Sequence, residues 1–256
     1  MSKRIDDIFK KKKNVLSIYF TAGYPNLLDT SSIIKHLSLA GADMIEIGFP
    51  FSDPLADGAT IQKSSQIALQ NGMSLQVLFE QLKDIRKVSQ IPLLLMGYLN
   101  PVMQFGEENF IEKCSEIGID GIIIPDMPLA YYQKNLQKLC QKYKIANILL
   151  ISPETSERRI QEIDANSESF IYVVSSNSIT GQNNDLSEQN MYFERIAKME
   201  LKNPRLIGFG IRDKKSFEQA CQYASGAIIG SAFIKHLEQQ GANYDAIYKF
   251  IKEIKQ

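Results

Sequence analysis

The sequence predicts an α/β chain of the (βα)8 or TIM barrel class, with an extra N-terminal helix and a short helix after the eighth strand. Three observations carry that expectation. The chain has 256 residues, and one such barrel takes about 250. Eight short apolar runs alternate with longer stretches of helical period. Several of those runs are apolar without a break, as parallel strands covered on both faces must be. A doubly wound open sheet is the structural alternative. The near-regular spacing of the units and the lack of an early G-x-G-x-x-G favour the closed barrel. No Pro/Ser/Gly-rich linker, low-complexity stretch or repeat divides the chain, so residues 1–256 are expected to form one catalytic domain.

The elements follow in order. A charged N-terminal segment precedes the first strand candidate, Val15–Phe20. Its lysine run, Lys10 to Lys13, reads as the solvated end of a first helix. Ile33, Ile34, Leu37 and Ala40 then share a helical face that stops at Gly41, a residue suited to the left-handed turn after a helix. Met44–Gly48 is the second strand candidate. A stripe of Leu75, Leu78, Phe79, Leu82 and Ile85 follows, with Ser74 placed to cap it. The remaining strand candidates are Ile91–Met96, Gly121–Pro125, Asn147–Ile151, Phe170–Val174, Leu206–Phe209 and Ala227–Ile229. Leu136, Leu139, Cys140 and Tyr143 form one of the helical stripes between them, and Phe217, Ala220 and Cys221 another. Ile247, Phe250, Ile251 and Ile254 close the chain.

Composition excludes several functions. Lys+Arg and Asp+Glu stand at 29 each, so no net positive field attracts nucleic acid or an anionic membrane. The three cysteines are far apart in apolar helical stripes, which argues for reduced core thiols over a disulfide framework or zinc site. No metal site is expected. His36 and His236 fall on predicted helices without a second ligand or a nucleophile at useful spacing. The N-terminus lacks the apolar core of a signal peptide, and no apolar run approaches the roughly 20 residues that span a bilayer. The expected compartment is the cytoplasm, or an organelle stroma had a transit peptide been removed.

In a barrel of this kind the chemistry sits on loops after the C-terminal ends of the strands. Alternation places Met44, Glu46 and Gly48 on one face of the second strand, with Ile45 and Ile47 packed against helices. Glu46 then points into the barrel near its upper end. Desolvation there would raise its pKa, which suits a group that both gives and takes a proton. A core ion pair is the structural alternative, and the neighbouring strands offer no obvious basic partner. Asp53 precedes Pro54 and Asp57 precedes Gly58, so loop geometry alone would account for both aspartates.

The whole string changes that balance. Glu46-Ile-Gly-Phe-Pro-Phe-Ser-Asp-Pro-Leu-Ala-Asp-Gly58 closely resembles the signature of the tryptophan synthase alpha subunit family. The resemblance takes in Tyr19-Phe-Thr-Ala-Gly-Tyr-Pro25, Met96-Gly-Tyr-Leu-Asn-Pro101 and Ile124-Pro-Asp-Met-Pro128. It continues through Ser178-Ile-Thr-Gly181, Ile207-Gly-Phe-Gly-Ile211 and Ile229-Gly-Ser-Ala232, and so covers nearly the whole chain.

That resemblance implies retro-aldol cleavage of indole-3-glycerol phosphate to indole and glyceraldehyde 3-phosphate, without metal or organic cofactor in this chain. It makes Glu46 the proton-transfer acid and Asp57 the carboxylate that stabilises charge on the ring nitrogen. Tyr19 would flank the indole slot, with Tyr98 in a matching loop; core packing is the alternative for each. Gly181, Phe209, Gly210, Gly230 and Ser231 would bind the substrate, the glycine loops cradling its phosphate at the N-terminus of the short helix. The polar, Asn-rich stretch from Ser175 to Glu188 resembles the family's mobile lid, with Thr180 orienting Asp57. It departs from the common form at Ser176, where arginine is usual, and Ser178, where glycine is usual. The family works as an α2β2 complex, so a beta subunit carrying pyridoxal phosphate is the implied partner, met by Pro50, Asp53 and neighbouring residues. Three rivals stand beside this reading. One is a free-standing indole-releasing lyase. Another is a different phosphate-binding barrel enzyme, such as an isomerase of the same pathway, which would usually carry a catalytic lysine or a different acid pair on early strands; the first two strands lack lysine. The last is an inert activator of a beta subunit, which would not need both acids.

Overall fold

The structure is a computed structural model, and it describes residues 3–175, 186–208 and 210–256. Eight strands form a closed parallel barrel in chain order, β1 pairing with both β2 and β8. They are β1 (Val15–Thr21), β2 (Met44–Gly48), β3 (Leu93–Met96), β4 (Gly121–Ile123), β5 (Ala146–Ile151), β6 (Ile171–Val174), β7 (Arg205–Gly208) and β8 (Gly226–Ile229). The expected strands are all present, with ends shifted by a residue or two where apolar flanks run past the last ladder hydrogen bond. Phe209, expected to end β7, lies outside the described residues. The expected caps are found as well. Ser74 Oγ accepts the Val77 amide at 3.3 Å, and Gly41 adopts φ 99° beyond its helix.

Alternation along the strands divides the core into two layers. Leu16, Ile18, Phe20, Ile45 and Ile47 face outward into the shell between strands and helices. Val15, Met44, Leu94, Ile123, Ile148, Phe170, Tyr172 and Ile228 fill the barrel interior. The N-terminal helix, Lys3–Lys11, plugs the lower end: its Ile5 is buried among these interior residues, and Phe9 packs its ring 5.7 Å from Phe170. Full burial of one such aliphatic or aromatic side chain stabilises by about 1.5–3 kcal/mol, so the plug is substantial.

Two aspartates fasten the lower rim. Asp43 accepts the Leu16 amide at 2.9 Å and pairs with Lys12 at 2.5 Å and Lys255 at 2.8 Å. Asp120 accepts the Leu93 amide at 2.9 Å and pairs with Arg86 at 2.5 Å and Arg4 at 3.2 Å. The lysine run at the end of the first helix is therefore solvated, and Lys12 also pairs with Asp43.

Both histidines are structural tethers on helices, as expected. His36 Nδ1 lies 3.0 Å from the Ala242 carbonyl and His236 Nε2 lies 2.9 Å from that of Ala246. The cysteines are free thiols, Cys114 and Cys140 being buried. The stripe from Leu136 to Tyr143 departs from a regular α-helix: a π-helical turn, Tyr132–Leu136, precedes the helix Gln137–Tyr143. Among the described residues no helix is long and apolar enough to cross a membrane.

Candidate active site

A cavity of about 340 Å³ opens at the C-terminal ends of the strands. Its lining includes Tyr19, Asp57, Met96, Tyr172, Gly210, Gly230 and Ser231, so most of the expected site residues that the structure describes converge on it. The volume lies in the range of small-molecule sites.

Glu46 lies under this cavity rather than in its wall. The ladder sets Glu46 beside Tyr19 on β1 and Leu94 on β3. Its side chain is wholly buried, and its Oε1 accepts the Ser17 hydroxyl at 2.7 Å. Ser17 stands two residues before Tyr19 on the same face, towards the N-terminal end of β1. The bond to Ser17 therefore turns the carboxyl away from the strand ends. Oε2 is buried without a hydrogen-bond partner among the described residues. The expected ion-pair alternative does not hold: the partner is a hydroxyl.

An ionised carboxylate so placed would cost far more than a neutral carboxyl, whose desolvation is of the order of a few kcal/mol. Protonation is how such a site settles. Burial raises the Glu46 pKa to about 8, against a lowering by the Ser17 hydroxyl.

Asp57 reaches the cavity from the loop after β2, just before the helix Ala59–Gln70. Burial raises its pKa to about 6, while a hydrogen bond with the Tyr98 hydroxyl lowers it. Tyr98 lies in the loop after β3, as expected. It is buried in a small adjoining cavity with Phe49, Phe51 and Asp57. Its oxygen accepts the Ala56 amide at 2.9 Å, and its ring lies 5.3 Å from that of Phe51. Tyr98 thus anchors the Asp57 loop instead of walling the main cavity. Tyr19 borders both cavities, and its hydroxyl lies so near Gly48 that a Cβ there would fall 2.2 Å from it. Only glycine fits beneath that ring.

The other side of the cavity is built for an anion. Gly210 adopts φ 75°, a conformation that favours glycine. Gly230, Ser231 and Ala232 open the helix Ser231–Gln240, and all three line the cavity. No side chain caps that helix start, so its first amides and partial positive charge face the space. Arg212 and Lys235 line the same side.

Sequence reasoning missed Ser17, Tyr172, Arg212 and Lys235. Alternation would have found two of them, since Ser17 shares a face with Tyr19 and Tyr172 shares one with Phe170. Arg212 and Lys235 lie outside the strands, and only the closed barrel brings them together. Thr180 and Gly181, with the Ser176 and Ser178 departures, lie outside the described residues, as does Phe209. Of the expected partner face, Asp53 is exposed and is joined by Ser52 through a short hydrogen bond. Pro50 is buried within this chain, so Leu55, 83% exposed, presents the apolar surface of that loop in its place.

Comparison with known proteins agrees with this architecture. A family model described as tryptophan synthase alpha chain matches residues 5–256. The tryptophan synthase alpha chain of Flavobacterium psychrophilum is 56% identical over 252 residues, which is 98% of this chain and 99% of that one. The solved tryptophan synthase subunit alpha of Legionella pneumophila superposes with a TM-score of 0.88 at 31% identity, covering 99% of this chain and 97% of its own. A chain of the tryptophan synthase complex of Pyrococcus furiosus superposes with a TM-score of 0.84 at 30% identity, over 95% and 98% of the two chains. A matched family, a barrel of the same shape and a cavity lined by one buried acid with a second beneath it agree: the chain belongs to the tryptophan synthase alpha chain family, lyases that cleave indole-3-glycerol phosphate.

Proposed function

We propose that Glu46 and Asp57 carry the cleavage of indole-3-glycerol phosphate between them, within one catalytic unit formed by residues 1–256. The observation that carries this reading is the environment of Glu46, a buried carboxyl with one donor and one unpartnered oxygen directly under the cavity. A carboxyl with a pKa of about 8 is mostly protonated at neutral pH, and Asp57, near 6, is mostly ionised. Two acids whose environments separate their pKa values have divided roles.

Rotation of the Glu46 side chain brings its acid proton to the ring carbon that bears the glycerol phosphate chain. The ring electrons form the new C–H bond, and positive charge develops on the ring nitrogen. Asp57, fixed by Tyr98, is the carboxylate that stabilises it. The carboxylate left on Glu46 then takes the proton of the adjacent side-chain hydroxyl. That O–H pair becomes the aldehyde C=O as the carbon–carbon bond breaks, and the bond's electrons return to the ring. Glu46 ends as it began, protonated, and nothing has been oxidised or reduced. The balance needs no metal or organic cofactor in this chain.

Tyr19 walls the indole side of the cavity. The Ser231 helix start with Gly210 and Gly230 takes the phosphate, and the family resemblance adds Thr180, Gly181 and Phe209 to the substrate-binding residues. The partner is a pyridoxal-phosphate-carrying beta subunit in an α2β2 assembly, facing the exposed Asp53–Leu55 loop, and the setting is the cytoplasm. The test is indole release by Glu46→Gln, which keeps shape but cannot shuttle the proton. Its kcat should fall about a thousandfold or more, within the reach of general acid–base catalysis, with KM kept. Equal turnover in variant and parent would remove Glu46 from the mechanism.

A further inference from the structure

Ser17 is an anomaly in the barrel interior. It is fully buried, and the inward residues around it, Val15, Met44 and Leu94, are apolar and fully buried too. A hydroxyl in such a layer is costly unless it is hydrogen-bonded. Its bond goes to Glu46 Oε1, at 2.7 Å. The bond also draws the carboxyl towards the lower end of the barrel, away from the cavity lined by Tyr19, two residues further along the same face.

We propose that Ser17 is a positioning residue for proton transfer: its hydroxyl parks the Glu46 carboxyl in one rotamer beneath the cavity and, by occupying Oε1, leaves Oε2 as the oxygen that carries the acid proton. A neutral carboxyl has one proton and two oxygens. With Oε1 accepting from Ser17, the proton resides on Oε2, which no group among the described residues engages. The acid therefore waits in a single orientation with its donor free. The titratable groups around it are Tyr19 on β1, Tyr172 on β6 and Asp57 in the loop after β2, while β3 contributes Leu94 and Met96. None of these is cationic, so Ser17 is the group that favours the ionised form. This inference rests on Glu46 being the proton-transfer acid.

The test is the pH profile of kcat/KM for indole release by Ser17→Ala beside the parent and Glu46→Gln. In the parent, activity falls below the Asp57 pKa of about 6, because Asp57 must be ionised, and above the Glu46 pKa of about 8, because Glu46 must be protonated. Losing the hydroxyl removes a donor to the ionised carboxyl. The basic limb should move up by about one pH unit, as expected when a hydrogen bond to a charged group is lost, while the plateau kcat should not fall, because the rotated carboxyl has left Ser17 before it reaches the ring. The acidic limb should stay. Ser17→Cys, nearly the same volume with a weaker donor, should fall between the two and guards against a packing artefact. A Ser17→Ala profile equal to the parent's, beside an inert Glu46→Gln, overturns this inference alone. Movement of both limbs together also overturns it, because that marks general disturbance of the site. A Glu46→Gln enzyme that still releases indole overturns the inference together with the proton assignment beneath it.

Discussion

At the lower end of the barrel, Asp43 and Asp120 are each held by a backbone amide and two cationic side chains. At the upper end, Glu46 has one hydroxyl donor and a bare oxygen, and Asp57 has the Tyr98 hydroxyl against its burial. The four are all acids near strand ends of one sheet. The lower pair gains its full complement of partners and serves only to close the barrel. The upper pair is left short of partners, so its protons are easily moved. A buried carboxyl without a cation is a liability for stability and an asset for proton transfer.

Crossing the two ends by mutation would break this comparison most sharply. Glu46→Gln should remove activity by a thousandfold or more, whereas Asp120→Asn should leave the kcat of the folded enzyme within about twofold of the parent. Steady-state indole release by both variants checks this. Next in size, Asp57→Asn should lower kcat by about a hundredfold, the scale of one preorganised electrostatic contact, with the Glu46-dependent basic limb still present. A loss confined to KM would show that Asp57 only binds.

Stability should answer in the opposite sense. Asp120→Asn leaves the Arg86 guanidinium and the Leu93 amide with a poorer acceptor, and should cost about 3 kcal/mol in urea unfolding at unchanged m-value. Glu46→Gln should cost little or nothing near pH 5, and the difference between the two proteins should then depend on pH. The folded pKa of Glu46, about 8, lies above the ordinary carboxyl value of 4.5. The native state thus holds a proton that the unfolded chain has lost, and this group's contribution to stability falls as pH rises from about 5 to 8. The parent should lose stability relative to Glu46→Gln across that window, by up to about 1.4 kcal/mol per pH unit. Parallel stability curves for the two proteins would show that Glu46 is not desolvated in solution.

Much of this was legible in the residues. The strand pattern of period two, with both faces apolar, specified a parallel barrel and its inward positions, because a side chain's face follows from its parity along a strand. Parity alone put Glu46 inside. The long string from Glu46 to Gly58 then carried the family and the second acid. What stayed hidden was which partners each inward residue would meet. Tyr98 could be placed only in a loop matching that of Tyr19, whereas its hydroxyl holds the Asp57 loop, because a buried tyrosine takes the nearest backbone donor it can reach. Pro50 was assigned to a partner face, yet it is buried, and Leu55 stands out instead.

The sequence by itself determined the number of strands, their inward faces and the identity of the acids, since these depend on local period and on a motif contiguous in the chain. Only the tertiary structure decided the direction of the Glu46 carboxyl, its bond to Ser17, and the meeting of Arg212 and Lys235 with the Ser231 helix start. Those features depend on residues far apart in the chain. Their distances are set when β8 closes on β1, an event that no local pattern encodes.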